Sequence, residues 1–246
     1  MKTSFVVRLA ETDIKIYTGS TGLRNRMKEY VVEETAGISA EAAFTVEVTE
    51  SERRDILHLL REVNGEDFSC GDSYLEFVAV QKVIAEKMID HDVLLMHGSA
   101  VCMDGEGYIF TAPSGTGKST HARLWREAYG DRMMMINDDK PMLICREDEI
   151  IACGNPWTGK HRLGENVSAK VKAIAFLERN EKNIVDPVKP EEVFELLYLQ
   201  TYRPKDPARA MKSIELLSRI CRNVKMYRLK GNMESDAAIV AYKGMN

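Results

Sequence analysis

The stretch that decides the fold runs from Tyr108 to Thr120, YIFTAPSGTGKST. Tyr108-Ile109-Phe110 is a short apolar run that follows a hairpin-like turn, Asp104-Gly105-Glu106-Gly107, and so predicts a strand. From Lys118 to about Tyr129 the pattern turns helical. A strand, a glycine-containing turn and a helix in that order form the context of a phosphate-binding loop. Gly115 and Gly117 permit backbone conformations and close approaches that a Cβ would hinder. Successive N–H groups can then point inward at phosphate oxygens beside the positive end of the helix. Ser114, Gly115, Thr116, Gly117, Lys118, Ser119 and Thr120 are therefore the candidate cradle. Lys118 would reach the β- and γ-phosphates, and Ser119 would offer its hydroxyl to Mg²⁺. The common form G-x-x-x-x-G-K-[ST] has Gly where this chain has Ala112, at the entry of the loop rather than beneath the phosphates. A Gly/Ser-rich turn carrying a solvated lysine is the competing reading, and the flanking strand and helix argue against it.

Downstream, the apolar run Met133–Ile136 predicts a strand that ends in Asn137-Asp138-Asp139. The aspartates stand 20 and 21 residues past Lys118 (138 − 118 and 139 − 118). If their strand neighbours the strand feeding the loop, a carboxylate sits beside the phosphates. Phosphoryl transfer needs one near Mg²⁺ and often one to take the acceptor's proton. Neighbouring residues on a strand point to opposite faces, so the division of tasks stays open. A polar turn before Lys140-Pro141 is the alternative. Upstream, His97-Gly98-Ser99 follows the strand Val93–Met96. His97 could orient an aspartate or help receive a proton. Read alone, it is a hydrogen-bonded histidine between strands.

The remainder supplies the frame. Phe5, Val7 and Leu9, then Ile14 and Ile16, then Phe44, Val46 and Val48 alternate as half-buried strands. Glu50–Val63 reads as a helix ended by Asn64-Gly65. Asp72-Ser73 supplies an N-cap for a helix with Phe77, Val80, Ile84 and Met88 on one face. Two short strands join across Arg146–Glu149, and Val171–Leu177 is another. A helix runs from Pro190 to about Gln200, and Ala210, Ile214, Leu217 and Cys221 share a face of the next. Val224–Leu229 is the last strand, and the tail from Glu234 is helical. A boundary near residue 72 divides a small β-rich portion, 1–72, with no assigned role, from a domain over 73–246.

Composition narrows the partners. The chain has 246 residues and a net charge of −4, which speaks against a nucleic-acid partner needing a basic face. Its five cysteines are scattered and form no C-x-x-C pair, which suggests reduced thiols in a cytoplasmic protein without disulfide or zinc. The start, MKTSFVVRLAETD, lacks the features of a secretory leader. No stretch approaches the ~18 apolar residues of a membrane span.

Taken together, His97-Gly98, the loop A-P-S-G-T-G-K-S-T and the strand ending in Asp138-Asp139 resemble the catalytic core of HPr kinase/phosphorylase. ATP-type phosphoenolpyruvate carboxykinase shares that core. The short interval between the loop lysine and the aspartates is the telling feature, and an unusual first loop position is tolerated there. Gly154–Lys160 and Val171–Glu178 are similar to a small, less characterised branch, some of whose members phosphorylate peptides. The resemblance covers about residues 73 to 245. It implies an α/β fold of the α+β kind: a mixed, largely antiparallel sheet with flanking helices around the loop, not a doubly wound parallel one. It implies ATP, Mg²⁺ and transfer of the γ-phosphate to a hydroxyl, of a serine in a peptide or protein or of a small molecule. Lys118 and Ser119 carry over as phosphate and metal contacts, Asp138 and Asp139 as metal ligand and general base, and His97 as their partner. The segment after Trp157 does not match the stretch used for phosphorolysis, and the chain is short for a carboxykinase.

Other residues have two readings each. Lys160, His161 and Arg162 form a basic trio that could clamp triphosphate or acceptor, or be a solvated loop. Arg203, before Pro204, could enter the site. Trp157 could line a pocket or pack in the core. Met133–Met135 reads as a buried strand. A non-catalytic nucleotide-binding regulator is the rival from another class. Acceptor identity and oligomeric state, a homo-oligomer included, stay open.

Overall fold

The computed structural model describes residues 2–32, 41–232 and 234–246. The chain forms two compact units, residues 1–88 and 89–246. The division expected near residue 72 thus falls sixteen residues later (88 − 72), because the helix beginning there packs inside the first unit.

In that first unit, β1 (Thr3–Leu9) and β2 (Thr12–Thr18) pair antiparallel, and β3 (Phe44–Glu47) joins β2 in parallel. Val7, Ile14, Ile16 and Val46 are fully buried, as the alternation requires. The unit is not merely β-rich. It also holds α1 (Thr21–Arg26), which no periodicity announces, α2 (Glu50–Asn64) and α3 (Asp72–Met88). A capping box opens α2: the Thr49 hydroxyl accepts from Glu52 N, and the Glu52 carboxylate accepts from Thr49 N. Gly65, at φ 102°, ends it. Helix α3 starts at Asp72 itself, and its buried face includes Glu76, whose Oε1 accepts from Thr18 and Arg53.

The second unit is a mixed sheet with helices on both faces. Its strands are β4 (Val93–Leu95), β5 (Ser99–Met103), β6 (Glu106–Thr111), β7 (Met133–Asn137), β8 (Met142–Cys145), β9 (Ile150–Cys153), β10 (Ser168–Arg179), β11 (Ile184–Pro187) and β12 (Lys225–Gly231). The order β4-β8-β9-β10-β6-β5-β7 is antiparallel except where β10 meets β6. Farther along, β10 also pairs in parallel with β12, which takes β11 antiparallel. The sheet is therefore largely antiparallel, as expected.

Helices α5 (Pro190–Leu199) and α6 (Pro207–Asn223) cover one face, and α4 (Lys118–Tyr129) and α7 (Ala237–Met245) cover the other. Strand β6 shows why its sequence is continuously apolar: Ile109 enters the α5/α6 core while Tyr108 and Phe110 enter the α4/α7 core. Two expectations shift here. Met134 is exposed while Met133 and Met135 are buried, because β7 is an edge strand. On α6 the buried residues are Ser213, Leu216, Leu217 and Ile220, and Ile214 lies outside. Among the described residues no helix is long and apolar enough to cross a membrane.

Candidate active site

Strand β5 is what brings the three motifs together. It lies between β6 and β7 and runs antiparallel to both, with Ser99 opposite Phe110 and Ala100 opposite Asn137. Its start therefore meets the ends of both neighbours. His97-Gly98, the loop from Ala112 and the pair Asp138-Asp139 all emerge at this one end of the sheet. The aspartate strand is not the direct neighbour of the loop strand, since β5 intervenes. Gly98 N donates to Asp139 O at 2.9 Å, Ser99 Oγ to Asp138 O at 3.1 Å, and Thr111 Oγ1 to His97 O at 2.9 Å. A Cβ at Gly98 would stand 3.0 Å from the Phe110 carbonyl oxygen, so a side chain there would press on the β6 backbone.

The loop has the backbone its glycines predict. Gly115 sits at φ 79° and Gly117, which caps α4, at φ 119°. The Thr116 hydroxyl donates to Pro113 O at 2.9 Å. Ala112 is buried in the α4/α7 core, which gives its methyl a packing role at the loop entry. Lys118 is buried and curls back, donating from Nζ to Ala112 O at 2.7 Å and Pro113 O at 3.2 Å. Burial lowers its pKa, and Asp139 opposes that shift. Ser114 and Ser119 are exposed, and Thr120 is half-buried. Arg179 Nη2 also donates to Gly115 O at 2.6 Å. No local motif announces this arginine. The register does so in retrospect: Phe176 lies opposite Thr111, so β10 continues past the end of β6 alongside the loop.

An asparagine shapes the aspartate turn. Asn137 is fully buried, and its Oδ1 accepts from Asp139 N at 2.9 Å and Lys140 N at 2.7 Å. That turn ends the strand, so the two aspartates escape its strict alternation. Asp138 is buried; its Oδ1 accepts from Gly159 N at 2.6 Å, and its Oδ2 has no hydrogen-bond partner among the described residues. Burial pushes its carboxyl pKa up, against the backbone hydrogen bonds from Gly159 and Leu163. Asp139 is more open. Its Oδ1 lies 3.7 Å from His97 Nε2 and its Oδ2 3.2 Å from Lys140 Nζ. His97 Nδ1 is 2.9 Å from Gln200 Oε1. Burial, then the charge of Lys118, lowers the His97 pKa against Gln200 and Asp139, which favours the neutral ring. Gln200, at the end of a helix, carries no motif by which the sequence could have marked it.

The segment 154–164 wraps this turn. Asn155, also fully buried, donates from Nδ2 to Lys140 O at 2.6 Å and accepts from Trp157 N at 3.0 Å. Trp157 is buried, which favours its packing role. Lys160, His161 and Arg162 are exposed. Arg203 is exposed, and among the described residues no hydrogen bond or ion pair ties it to the loop.

Oxygens of this kind would suit magnesium. It usually takes one or two carboxylates and completes its shell with phosphates and water. Among the described residues no group of three or more His, Cys, Asp or Glu gathers in metal-binding geometry. Ser119 and one aspartate would make a donor set of the sparser kind, and Asp138 Oδ2 is buried without a hydrogen-bond partner among the described residues.

No family model and no curated protein matches the chain. Among solved structures, the Hpr(Ser) kinase/phosphatase from Coxiella burnetii aligns with a TM-score of 0.35 and 11% sequence identity, covering 61% of this chain and 94% of that one. At that level the chemistry has to be read from the residues themselves.

Proposed function

We propose that the chain is an ATP- and Mg²⁺-dependent phosphotransferase that moves the γ-phosphate to a hydroxyl, of a serine in a peptide or protein. The observation that carries this reading is the meeting of the Lys118 loop, His97 and the Asp138-Asp139 turn at one end of the sheet. The loop N–H groups and Lys118 would hold the phosphates. Lys118 would leave the carbonyls of Ala112 and Pro113 to do so. Asp139 is the carboxylate whose field reaches Lys118, so it would stand beside the metal with Ser119. Bound there, magnesium would neutralise charge on the phosphates. Asp138, with a raised proton affinity and a vacant oxygen, would accept the hydroxyl proton. His97 would orient Asp139 through their contact.

The test compares the wild-type chain with Lys118→Met, measuring ATP affinity by calorimetry and transfer of labelled γ-phosphate to serine peptides. Transfer should fall roughly 10²–10³-fold, the usual cost of losing one charge-stabilising donor. Equal affinity and equal transfer in both chains would overturn the proposal. Tight, Lys118-dependent binding without transfer to any peptide or small alcohol would point to the nucleotide-binding regulator instead.

A further inference from the structure

The basic trio Lys160-His161-Arg162 is fastened to Asp138 on both sides. Gly159 N donates to Asp138 Oδ1 at 2.6 Å just before it, and Asp138 N donates to Leu163 O at 3.1 Å just after it. Arg162 N closes a turn onto Gly159 O at 2.9 Å, with Arg162 itself at φ 52°. A Cβ at Gly159 would stand 3.2 Å from Asp138 Oδ2, so the backbone here lies tight against the carboxylate. The three side chains between the anchors are exposed, and among the described residues none has a hydrogen bond or an ion pair. Several other arginines of the unit are paired: Arg132 with Asp104, Arg209 with Asp90 and Arg228 with Glu178. The trio thus stands at the aspartate assigned to the acceptor proton, across β5 from the strand that feeds the phosphate loop.

From this we infer that the acceptor is a peptide segment with acidic residues flanking its hydroxyl, and that Lys160, His161 and Arg162 bind those residues. The inference rests on the phosphotransferase reading above and names its substrate class. Two carboxylates at the transfer site repel an acidic segment, and the Lys160 and Arg162 charges, carried on backbone anchored to Asp138, would offset that repulsion. Consecutive exposed side chains suit an extended polypeptide better than an enclosed small molecule.

The experiment uses serine peptides with flanking Glu, Ala or Lys, the wild-type chain, and a Lys160→Gln/His161→Gln/Arg162→Gln variant. These residues are exposed, and Gln retains their approximate size. Thermal unfolding checks that the variant remains folded. Wild type should prefer the Glu peptide over the Ala peptide by roughly tenfold in kcat/KM, since each exposed ion pair contributes a few-fold. The variant should lose that preference while keeping its KM for ATP. A preference that is absent in wild type or survives in the variant overturns the inference. So does a raised KM for ATP, which would place the trio on the triphosphate, or transfer to small alcohols in preference to every peptide. Failure of the phosphotransferase reading shows separately, as ATP handling indifferent to Lys118→Met.

Discussion

His97 Nε2 lies 3.7 Å from Asp139 Oδ1 while Asp138, the adjacent residue, turns its carboxylate to the Gly159 N–H. Two neighbouring carboxylates therefore occupy different electrostatic settings. Asp139 has His97 and Lys140 at contact distance and shares its field with Lys118. Asp138 is buried, with one oxygen unpaired.

Substitution by asparagine should separate the two. Asp139→Asn should weaken Mg²⁺-dependent nucleotide binding by about tenfold, the loss of roughly one charge-assisted contact of ~1.4 kcal/mol. Asp138→Asn should leave that affinity within about twofold and slow the transfer step by ~10²–10⁴, the range of general-base catalysis. Calorimetry with and without Mg²⁺ and single-turnover transfer measure the two quantities. The opposite pattern would exchange the assigned roles.

The buried amides of Asn137 and Asn155 hold the aspartate turn against the segment that follows β9. Asn137→Ala removes the acceptor for Asp139 N and Lys140 N and the donor shared by Asn155 O and Trp157 O. Leaving such groups buried and unpaired should cost about 3 kcal/mol. Urea unfolding measures it, and the double variant with Asn155→Ala should be non-additive by about 0.5–3 kcal/mol because the residues share a network.

Two glycines should respond to alanine for different reasons. At Gly154 a Cβ would stand 1.9 Å from the Glu165 backbone oxygen, so Gly154→Ala forces the chain apart and should lower Tm sharply. At Gly115 a Cβ would meet nothing within 4 Å. Gly115→Ala should therefore cost only its left-handed backbone, about 1–2 kcal/mol, and should weaken ATP binding through the displaced loop N–H groups. A scan of Tm beside an ATP titration distinguishes the two. Similar Tm losses in both would refute the distinction.

What the sequence disclosed was local. The strand–loop–helix around Lys118 and the strand ending in Asp138-Asp139 are contiguous patterns, and periodicity finds them. The insertion of β5 between those strands is a pairing choice, and nothing within Ser99–Met103 encodes its neighbours. Gln200 and Arg179 reach the site from elements far along the chain, through a side chain on His97 and a guanidinium on Gly115 O. Such contacts follow from topology, which spacing alone does not give. Met134 follows the same rule: the run Met133–Met135 reads as a buried strand, but β7 is an edge and leaves Met134 exposed.

His121, one turn into α4, makes stability depend on pH. Its Nε2 accepts from the Trp125 indole N–H at 3.0 Å, and the Phe110 ring packs edge-on with centroids 4.6 Å apart. That nitrogen can accept only while unprotonated, and burial pushes the pKa down to about 4. Unfolded, the ring has the ordinary value of about 6.5. Between those values the unfolded chain binds a proton that the folded chain refuses, so stability falls as pH drops from about 6.5 toward 4, by roughly 1.4 kcal/mol per unit. Between pH 7 and pH 5 the loss from this one group should be about 2 kcal/mol. His121→Gln keeps an acceptor for the indole without the titration, so its urea-unfolding free energy should decline less over that interval by about the same amount. Parallel curves for the two proteins would mean that His121 is not held neutral by its surroundings.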